Sequence, residues 1–249
     1  MGQHILVDVT HGIATVRIDH APVNAMTVEL TERIAEVFRE LAGREDLTAV
    51  ILTGTGKSFC AGLDLKVVPH LDGAMQNRLL DALNNAFLAV YECPVPVVGA
   101  INGHAIAGGM VLALCCDWRI AADWPFQAGV TEVRAGVPYP VGAIEVTRAE
   151  LRPEVGRELI LFGQNISQSE AVRQGIFDQS VPAETLMVAA MEKARELSRL
   201  PRHGFRTVKH QLRRQPLTEM RAAVNGAEPL YDNWLSEETV AAATSVLQG

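Results

Sequence analysis

Two glycine-rich segments of this chain have the residue types that leave backbone N–H groups free to bind a ligand. The first is 58–65 (SFCAGLDL) and the second is 102–109 (NGHAIAGG). We predict that each lies where a buried strand passes through small residues into a helix, a place where N–H groups lack an acceptor. One such N–H from each segment could together bind the negative charge that develops on a carbonyl oxygen. Tight strand–helix packing is the alternative explanation for either segment taken alone.

Other side chains that could do chemistry are isolated in the sequence. Taken alone, Glu132 is expected to be a surface carboxylate after a predicted strand at 126–128, and Glu145 is similar on a predicted helix. Cys60 has no accompanying histidine or asparagine pattern, so a packed thiol is favoured over a nucleophile. The seven histidines show no metal-ligand spacing, and we predict no metal site. His104 is expected to be packed or hydrogen-bonded.

Strands and helices alternate through the first half of the chain and would position both segments. A hairpin is predicted over 5–18, followed by an amphipathic helix from Thr27 to about Gly43. Further predicted elements are buried strands at 49–52, 95–101 and 118–121, and helices at 75–90 and from the second glycine-rich segment to about Cys115. This alternation predicts an α/β architecture with a largely parallel sheet, in which ligands bind where strands give way to helices.

Helical patterns dominate after about residue 140, and one of them has two contrasting faces. They are predicted at 141–151, 154–162, 168–174, 183–199, 202–214 and beyond 217, with a possible strand at 177–181 and element boundaries near Pro201 and Pro216. The helix at 202–214 has a basic stripe of Arg202, Arg206, Lys209 and Arg213 and an apolar stripe of Phe205, Val208 and Leu212. We expect the basic stripe to be a solvated face, with a local phosphate contact as the alternative.

Composition limits the class of protein. With 249 residues, of which 48% are apolar, the chain can bury one substantial core. Its formal net charge of −7 argues against nucleic acid as a partner. The longest apolar run, 105–116, is too short for a membrane span, which needs roughly 20 residues. We recognise no signal peptide, and the four cysteines form no C-x-x-C pair, so a cytoplasmic protein is expected.

Several segments together resemble the enoyl-CoA hydratase/isomerase family, the crotonase superfamily. These are 22–26 (PVNAM), 58–65, 94–103 (PVPVVGAING), 105–109 (AIAGG) and 116–121 (CDWRIA). The resemblance implies a spiral of ββα units over 1–195 and a helical region over 196–249 that assembles the protein into homotrimers or hexamers. It also implies an acyl-CoA substrate and fatty acid metabolism, with coenzyme A as part of the substrate and no separate cofactor.

The resemblance assigns roles to the residues of the two glycine-rich segments. It implies that the backbone N–H groups of Leu63 and Gly108 stabilise the enolate of the thioester. Gly108 begins a predicted helix, whose dipole would strengthen its N–H as a donor. The residues that resemble the part of the family in contact with the adenine and pantetheine of coenzyme A are Ala61, Gly62, Asp64 and Leu65.

The resemblance also places catalytic carboxylates at two positions, and only one is acidic here. Glu132, four residues before Gly136, matches one position, whereas Val111 occupies the other. Hydration of a double bond suits two groups, whereas moving a double bond from the 3 to the 2 position needs a single base. A lone Glu132 in an apolar pocket, its pKa raised by desolvation, suits that second reaction.

We therefore predict a Δ3-Δ2-enoyl-CoA isomerase in which Glu132 transfers the proton. A 2-enoyl-CoA hydratase, with Glu132 helped by Glu145 or another acid, is the first alternative. Other acyl-CoA reactions of the superfamily and a non-catalytic binding protein also stay open, because one fold can host many functions.

Overall fold

The computed structural model describes residues 4–232 and 234–248. The strands are β1 Ile5–Thr10, β2 Ile13–Ile18, β3 Ala49–Gly54, β4 Ser58–Cys60, β5 Val97–Ile101, β6 His104–Ile106, β7 Trp118–Ala122, β8 Gln127–Gly129, β9 Ile166–Ser167 and β10 Gln179–Val181. The α-helices are α1 Val28–Ala42, α2 Gly73–Tyr91, α3 Gly108–Leu114, α4 Val141–Glu150, α5 Pro153–Phe162, α6 Gln168–Arg173, α7 Leu186–Leu197, α8 Arg202–Leu212, α9 Arg214–Ala222 and α10 Glu237–Gln248. Short 3₁₀ helices cover Val68–His70, Glu132–Ala135 and Ala183–Thr185, and a π-helical segment covers Ala223–Ala227.

The strands form two sheets that share the chain in a regular way. The six-stranded sheet has the order β1-β2-β3-β5-β7-β10, and only its β1–β2 pair is antiparallel. The four-stranded sheet has the order β4-β6-β8-β9, with β9 antiparallel to β8. Each of β3, β5 and β7 leads to a short strand of the smaller sheet and then to a helix. These repeated ββα units confirm the α/β spiral of the crotonase fold.

Burial on both faces of the larger sheet explains its continuous apolar strands. Residues of α1 and α2 pack with one face in the main core, and α7 covers the other face through Leu186, Ala190 and Ala194. A strand covered on both faces has no polar side to alternate with, which is why β3 is buried along its whole length. The N-cap of α1 is also as predicted, because the Thr27 hydroxyl accepts the Leu30 N–H.

The two glycine-rich segments depart from the predicted strand-to-helix passage. Each begins with a three-residue strand of the smaller sheet, β4 or β6, which is too short for a periodic pattern to indicate. The second segment then enters α3 at Gly108 as expected. The first does not enter a helix: a loop and the 3₁₀ turn Val68–His70 separate it from α2.

The prediction of a solvated basic stripe on α8 is wrong for its second half. Lys209 and Arg213 are buried and form ion pairs of 2.8 Å and 3.1 Å with Asp117. Arg213 also pairs with Glu150 at 3.2 Å, and we call these four residues the α8 ionic cluster. The apolar residues Val208 and Leu212 point outward instead. Periodicity shows that a helix has two faces, whereas the partners that decide which face is buried lie far away in the sequence.

The remaining C-terminal predictions are close to the structure. The helix predicted over 202–214 is divided at Arg213 into α8 and α9, and Pro216 lies in the first turn of α9, where proline is tolerated. Pro201 precedes α8 as a cap, as expected. Within the described part of the chain, no helix is both long enough and apolar enough to cross a membrane.

Candidate active site

The smaller sheet brings the two glycine-rich segments into direct contact. Its strands β4 and β6 are parallel neighbours, so the residues that follow them emerge side by side. A Cβ atom added to Gly62 would lie 2.8 Å from the Cβ of Ala107 and 3.3 Å from the backbone nitrogen of Gly108. Gly62 also has a φ of 78°, a conformation that favours glycine. Only glycine therefore permits this close approach.

One N–H group in each segment is left without an acceptor. In the first segment, the N–H groups of Ala61 and Asp64 donate to the preceding loop at 3.2 Å and 3.4 Å, whereas no acceptor among the described residues binds the Leu63 N–H. In the second, Gly108 begins α3, where the first N–H groups have no acceptor within the helix. The preceding Ala107 has a φ of 51°, a strained conformation of the kind found at functional sites. The structure therefore offers a donor from each segment.

A cavity of about 460 Å³ lies beside these donors, within the size range of small-molecule sites. The two glycine-rich segments contribute apolar lining residues, Ala61, Leu63, Leu65, Ile106 and Ala107. The polar lining residues are Thr131, Glu132, Arg134, Asn165 and Ser245, and Ala135 and Val137 complete the lining. The cavity therefore has both apolar and polar lining residues.

Glu132 is the acidic residue of this cavity. It begins the 3₁₀ helix Glu132–Ala135 and is only 7% exposed, so the expectation of a surface carboxylate is wrong. The Ala107 N–H donates to the Gly129 carbonyl at 2.7 Å, which joins the chain before Glu132 to the second glycine-rich segment. The Oε2 atom of Glu132 is buried and has no hydrogen-bond partner among the described residues. A buried carboxylate oxygen without a partner, on a residue that lines a cavity, is a candidate to bind a ligand group.

Burial changes the acidity of this carboxyl group. Loss of solvation raises the pKa of Glu132 from its ordinary 4.5 to about 7, while its own backbone N–H and the Tyr139 hydroxyl lower that pKa by smaller amounts. The Tyr139 hydroxyl also lies 3.2 Å from the Val130 carbonyl, so its single proton is shared between that carbonyl and Glu132. A carboxyl group with a pKa near neutrality can both remove and return a proton.

The other candidate acidic positions lie away from the cavity. Val111 is completely buried on α3. Glu145 is buried on α4, where its carboxylate pairs with Arg148 at 2.9 Å. Among the described residues that line the cavity, Glu132 is the only carboxylate.

The residues assigned to coenzyme A divide into two groups in the structure. Ala61 and Leu65 line the cavity, and Gly62 allows the backbone contact with the second segment. Asp64 is turned toward its own loop, where a carboxylate oxygen accepts the Lys66 N–H at 3.0 Å. The cavity therefore brings together Leu63, Glu132 and part of the 61–65 segment, but not the Asp64 side chain.

The structure agrees with the predictions that Cys60 is a packed thiol and that His104 is packed and hydrogen-bonded. Burial raises the pKa of Cys60 to about 12, so it stays a neutral thiol. His104 accepts the Gln127 N–H at 3.2 Å and contacts aromatic rings. Among the described residues, no group of three or more His, Cys, Asp or Glu side chains is arranged to hold a metal ion.

Sequence reasoning missed several polar residues at or near the cavity. Tyr139 and Arg134 lie close to Glu132 in the sequence, and that proximity alone could have made them candidates. No sequence motif indicated Asn165 or Ser245 as site residues. Asn165 reaches the cavity through the turn between α5 and β9, and Ser245 reaches it through the packing of α10. Both depend on tertiary packing that no local pattern indicates.

Comparison with known proteins gives a clear assignment of family. The model of the enoyl-CoA hydratase/isomerase family matches residues 8–244. The chain is also 33% identical over 199 residues to the probable enoyl-CoA hydratase EchA17 of Mycobacterium tuberculosis (strain H37Rv), which covers 80% of this chain and 76% of the relative. The protein therefore belongs to the enoyl-CoA hydratase/isomerase family and is an enzyme of acyl-CoA chemistry.

Solved structures of similar proteins bear both names of this family. EchA3 of M. tuberculosis H37Rv, described as a probable enoyl-CoA hydratase, superimposes with a TM-score of 0.83 and 27% identity over 90% of this chain and 94% of its own. An apo structure from the same gene is described as an enoyl-CoA isomerase. It superimposes with a TM-score of 0.81 and 28% identity, over 91% of this chain and 98% of its own. Human mitochondrial delta3-delta2-enoyl-CoA isomerase superimposes with a TM-score of 0.88 and 24% identity, over 99% of this chain and 97% of its own. This similarity shows a shared fold.

Proposed function

We propose that this enzyme is a Δ3-Δ2-enoyl-CoA isomerase with Glu132 as its proton carrier. The observation that carries the proposal is the Glu132 carboxyl group, with a pKa of about 7 and one oxygen without a partner among the described residues, in a cavity lined by Leu63 and by Ala107, the residue before Gly108. An isomerase needs one group that accepts a proton from one carbon and returns it to another. A single carboxyl group that is half ionised near neutrality meets that need.

The reaction follows from these groups. The Glu132 carboxylate removes a proton from C2 of a 3-enoyl thioester, and the electron pair of the C–H bond moves into a dienolate whose negative charge lies on the thioester oxygen. The N–H groups of Leu63 and Gly108 donate hydrogen bonds to that oxygen. The protonated Glu132 then gives its proton to C4, the double bond forms between C2 and C3, and the carboxylate is regenerated.

The two donors and the carboxylate contribute in different ways. Each oxyanion-hole donor is typically worth about 10²–10³ in rate, and a positioned general base about 10²–10⁴. Gly108 adds the positive end of the α3 dipole to its N–H. The apolar lining residues of the cavity exclude water from the dienolate, and the lower local dielectric strengthens these electrostatic interactions.

A glutamine substitution tests the role of Glu132. Glu132→Gln keeps the shape of the side chain but removes the base, so we expect kcat on a 3-enoyl-CoA to fall by about 10²–10⁴. The measurement is the conversion of 3-hexenoyl-CoA to the conjugated 2-isomer, followed by its absorbance.

Glu145→Gln is the matched control, because Glu145 is equally buried but lies outside the cavity. Its turnover should stay within a few-fold of the unaltered enzyme. Normal isomerase turnover by Glu132→Gln would contradict the proposal.

A 2-enoyl-CoA hydratase is the second candidate, favoured by the name of the 33% identical relative. It would convert 2-hexenoyl-CoA into a 3-hydroxyacyl-CoA, which product analysis detects. If Glu145 were its second acid, Glu145→Gln would also lose activity, in contrast to the isomerase. Val111 and the Glu145–Arg148 ion pair argue for the isomerase.

We further propose where the coenzyme A part of the substrate lies and in which compartment the protein works. The 61–65 segment contacts the coenzyme A part of the substrate, with Ala61 and Leu65 on the cavity side. No cofactor beyond the coenzyme A of the substrate takes part. A cytoplasmic location is consistent with the four cysteines, all of which are free and buried.

We also propose that residues 196–249 assemble the protein into a homotrimer or a dimer of trimers. The support is that α8 buries Lys209, as does the adjoining Arg213, and leaves Val208 and Leu212 61% and 82% exposed. Replacing both with aspartate should reduce the mass measured by analytical ultracentrifugation to that of a monomer. Val188→Asp, an equally exposed position on α7, serves as the control and should leave the mass unchanged. An unaltered mass of the double variant would contradict this role.

A further inference from the structure

The segment 22–26 lies alongside the first glycine-rich segment. The Ala61 N–H donates to the Val23 carbonyl at 3.2 Å. Asn24 is buried, and its amide nitrogen donates to the Ser58 carbonyl, in β4, at 2.8 Å. The segment 22–26 is therefore fixed against the strand that precedes the Leu63 donor.

The backbone of Met26 holds the peptide group that carries the Leu63 N–H. Met26 and Leu63 form an isolated parallel bridge, in which the Met26 N–H donates to the Gly62 carbonyl at 2.7 Å and the Met26 carbonyl accepts the Asp64 N–H at 3.4 Å. Because a trans peptide group is planar, the Gly62 carbonyl and the Leu63 N–H point in opposite directions. The hydrogen bond from Met26 therefore directs the Leu63 N–H away from the 22–26 backbone. It also polarises the peptide group, which strengthens the Leu63 N–H as a donor.

The side chain of Met26 reaches the second donor. Met26 is completely buried, and a Cβ atom added to Gly108 would lie only 2.9 Å from its Sδ atom. The same added atom would lie 3.7 Å from the ring of Phe87 and 4.0 Å from the Cα of Gly62. The thioether therefore fills the space beside the Gly108 backbone, which a larger residue at that position would occupy.

The peptide group of Gly108 is otherwise held by a different element. The Ala107 carbonyl belongs to this peptide and accepts the N–H groups of Met110 and Val111, in α3, at 2.8 Å and 3.1 Å. The two donors thus rest on separate elements, although both must lie about 2.7–3.1 Å from the same oxygen to stabilise it. Met26 contacts the peptide groups of both.

We propose that Met26 is a positioning residue for the two donors. Its backbone directs the Leu63 N–H, and its thioether sets the distance between that donor and the Gly108 N–H. This inference rests on the proposed isomerase reaction, in which both donors bind the thioester oxygen. Met26 is absent from the described lining of the cavity, so it acts on the substrate through the donors. An unbranched thioether suits this role because it fills irregular spaces well.

Truncation of the Met26 side chain tests the inference. Met26→Ala removes the atoms beside Gly108, and Met26→Val is a milder change that ends one atom short of the sulfur position. One oxyanion-hole donor is typically worth about 10²–10³ in rate, so its partial misplacement should lower kcat on 3-hexenoyl-CoA by about 10- to 100-fold in Met26→Ala and less in Met26→Val. KM should stay within about three-fold, because the lost interaction is made mainly in the transition state.

Two further variants are the controls. Met26→Leu keeps carbon atoms at the position of the sulfur, so its kcat should stay within about three-fold of the unaltered enzyme. Met220 on α9 is equally buried and does not line the cavity. Met220→Ala therefore makes the same truncation elsewhere, and it should lower stability without changing kcat per folded molecule.

The carbonyl vibration of a bound ester reports directly on the two donors. Hexanoyl-CoA with a carbon-13 label at the thioester carbon has no double bond to move, and hydrogen bonds to its oxygen lower the C=O stretching frequency. Difference infrared spectroscopy should show this shift in the unaltered enzyme, Met26→Leu and Met220→Ala, and a smaller shift in Met26→Ala and Met26→Val. A loss of stability alone would not move the band of the folded complex. An unmoved band in both truncated variants would overturn the inference, whether or not kcat falls.

The unreactive ester separates this inference from the proposed function. If the unaltered enzyme isomerises no 3-enoyl-CoA while Met26→Ala still reduces the carbonyl shift, the isomerase reaction fails and the positioning role stands. If 3-hexenoyl-CoA is isomerised and neither truncation changes kcat or the band, the reaction stands and the positioning role fails.

Discussion

Two carboxylates of this protein, the buried Glu132 and the largely buried Asp117, have opposite surroundings. Asp117 accepts hydrogen bonds at 2.8 Å from both Lys209 and the Val97 N–H, and it also pairs with Arg213 at 3.1 Å. Glu132 is at least as buried, but one of its oxygens has no partner among the described residues. Both groups lost their hydration when the chain folded, yet only one has it replaced by cations.

The difference separates a structural group from a chemical one. In the α8 ionic cluster, the attraction between opposite charges offsets the loss of hydration, and the ion pairs fix the face of α8 that is buried. At Glu132 no cation offsets that loss, and the hydrogen bonds from its own backbone N–H and from Tyr139 offset it only in part, so the pKa rises to about 7. A buried charge with partners therefore indicates architecture here, whereas one without partners indicates the site of reaction.

Removing Asp117 should give the largest change in stability. Asp117→Ala leaves Lys209 and Arg213 buried with one of their acidic partners gone, so we expect a loss of about 3–5 kcal/mol in the free energy of unfolding. Urea denaturation measures it. Turnover per folded molecule should stay near that of the unaltered enzyme, because Asp117 does not line the cavity.

Two variants sharpen this prediction. Glu36→Ala removes an exposed ion pair with Arg33 and should cost less than about 1 kcal/mol. Glu132→Gln should instead stabilise the protein at pH 8 by about 3 kcal/mol, at 1.36 kcal/mol for each pKa unit. The folded pKa lies above the ordinary 4.5, so stability falls as pH rises from 4.5 to 7 and the cost remains at pH 8. A loss of stability in Glu132→Gln would break the comparison.

The pH dependence of catalysis tests the smaller effects. The base must be ionised, so kcat/KM should decrease about tenfold per pH unit below about pH 7. Tyr139→Phe removes a hydroxyl that lowers the pKa of Glu132, and we expect the midpoint of this acid limb to move to higher pH. A pH–rate profile measures both.

Tyr231→Phe is the control, because its hydroxyl donates to Asp81, outside the cavity. Its profile should match that of the unaltered enzyme. An acid limb near pH 4.5 would show that Glu132 is not desolvated during catalysis, and an unmoved midpoint in Tyr139→Phe would leave burial as the cause of the raised pKa.

The sequence predicts the fold and the backbone of the site better than the walls of the cavity. Glycine and alanine in the 58–65 and 102–109 segments indicate close approach of two chain segments, and the structure shows that contact at Gly62. The burial of Glu132 was not visible in its neighbours, because it depends on packing from α10 and the turn after α5. The prediction that Lys209 is solvated was wrong for the same reason, because its partner Asp117 lies on a different element.

The contact between α10 and the turn that carries Glu132 has a consequence for biosynthesis. The Thr239 hydroxyl donates to the Gly136 carbonyl at 2.7 Å, and Ser245 lines the same cavity as Ala61, from the other end of the chain. A chain synthesised only as far as α9 lacks this part of the cavity wall. The cavity is therefore complete only after residues 237–248 have folded against the turn that carries Glu132.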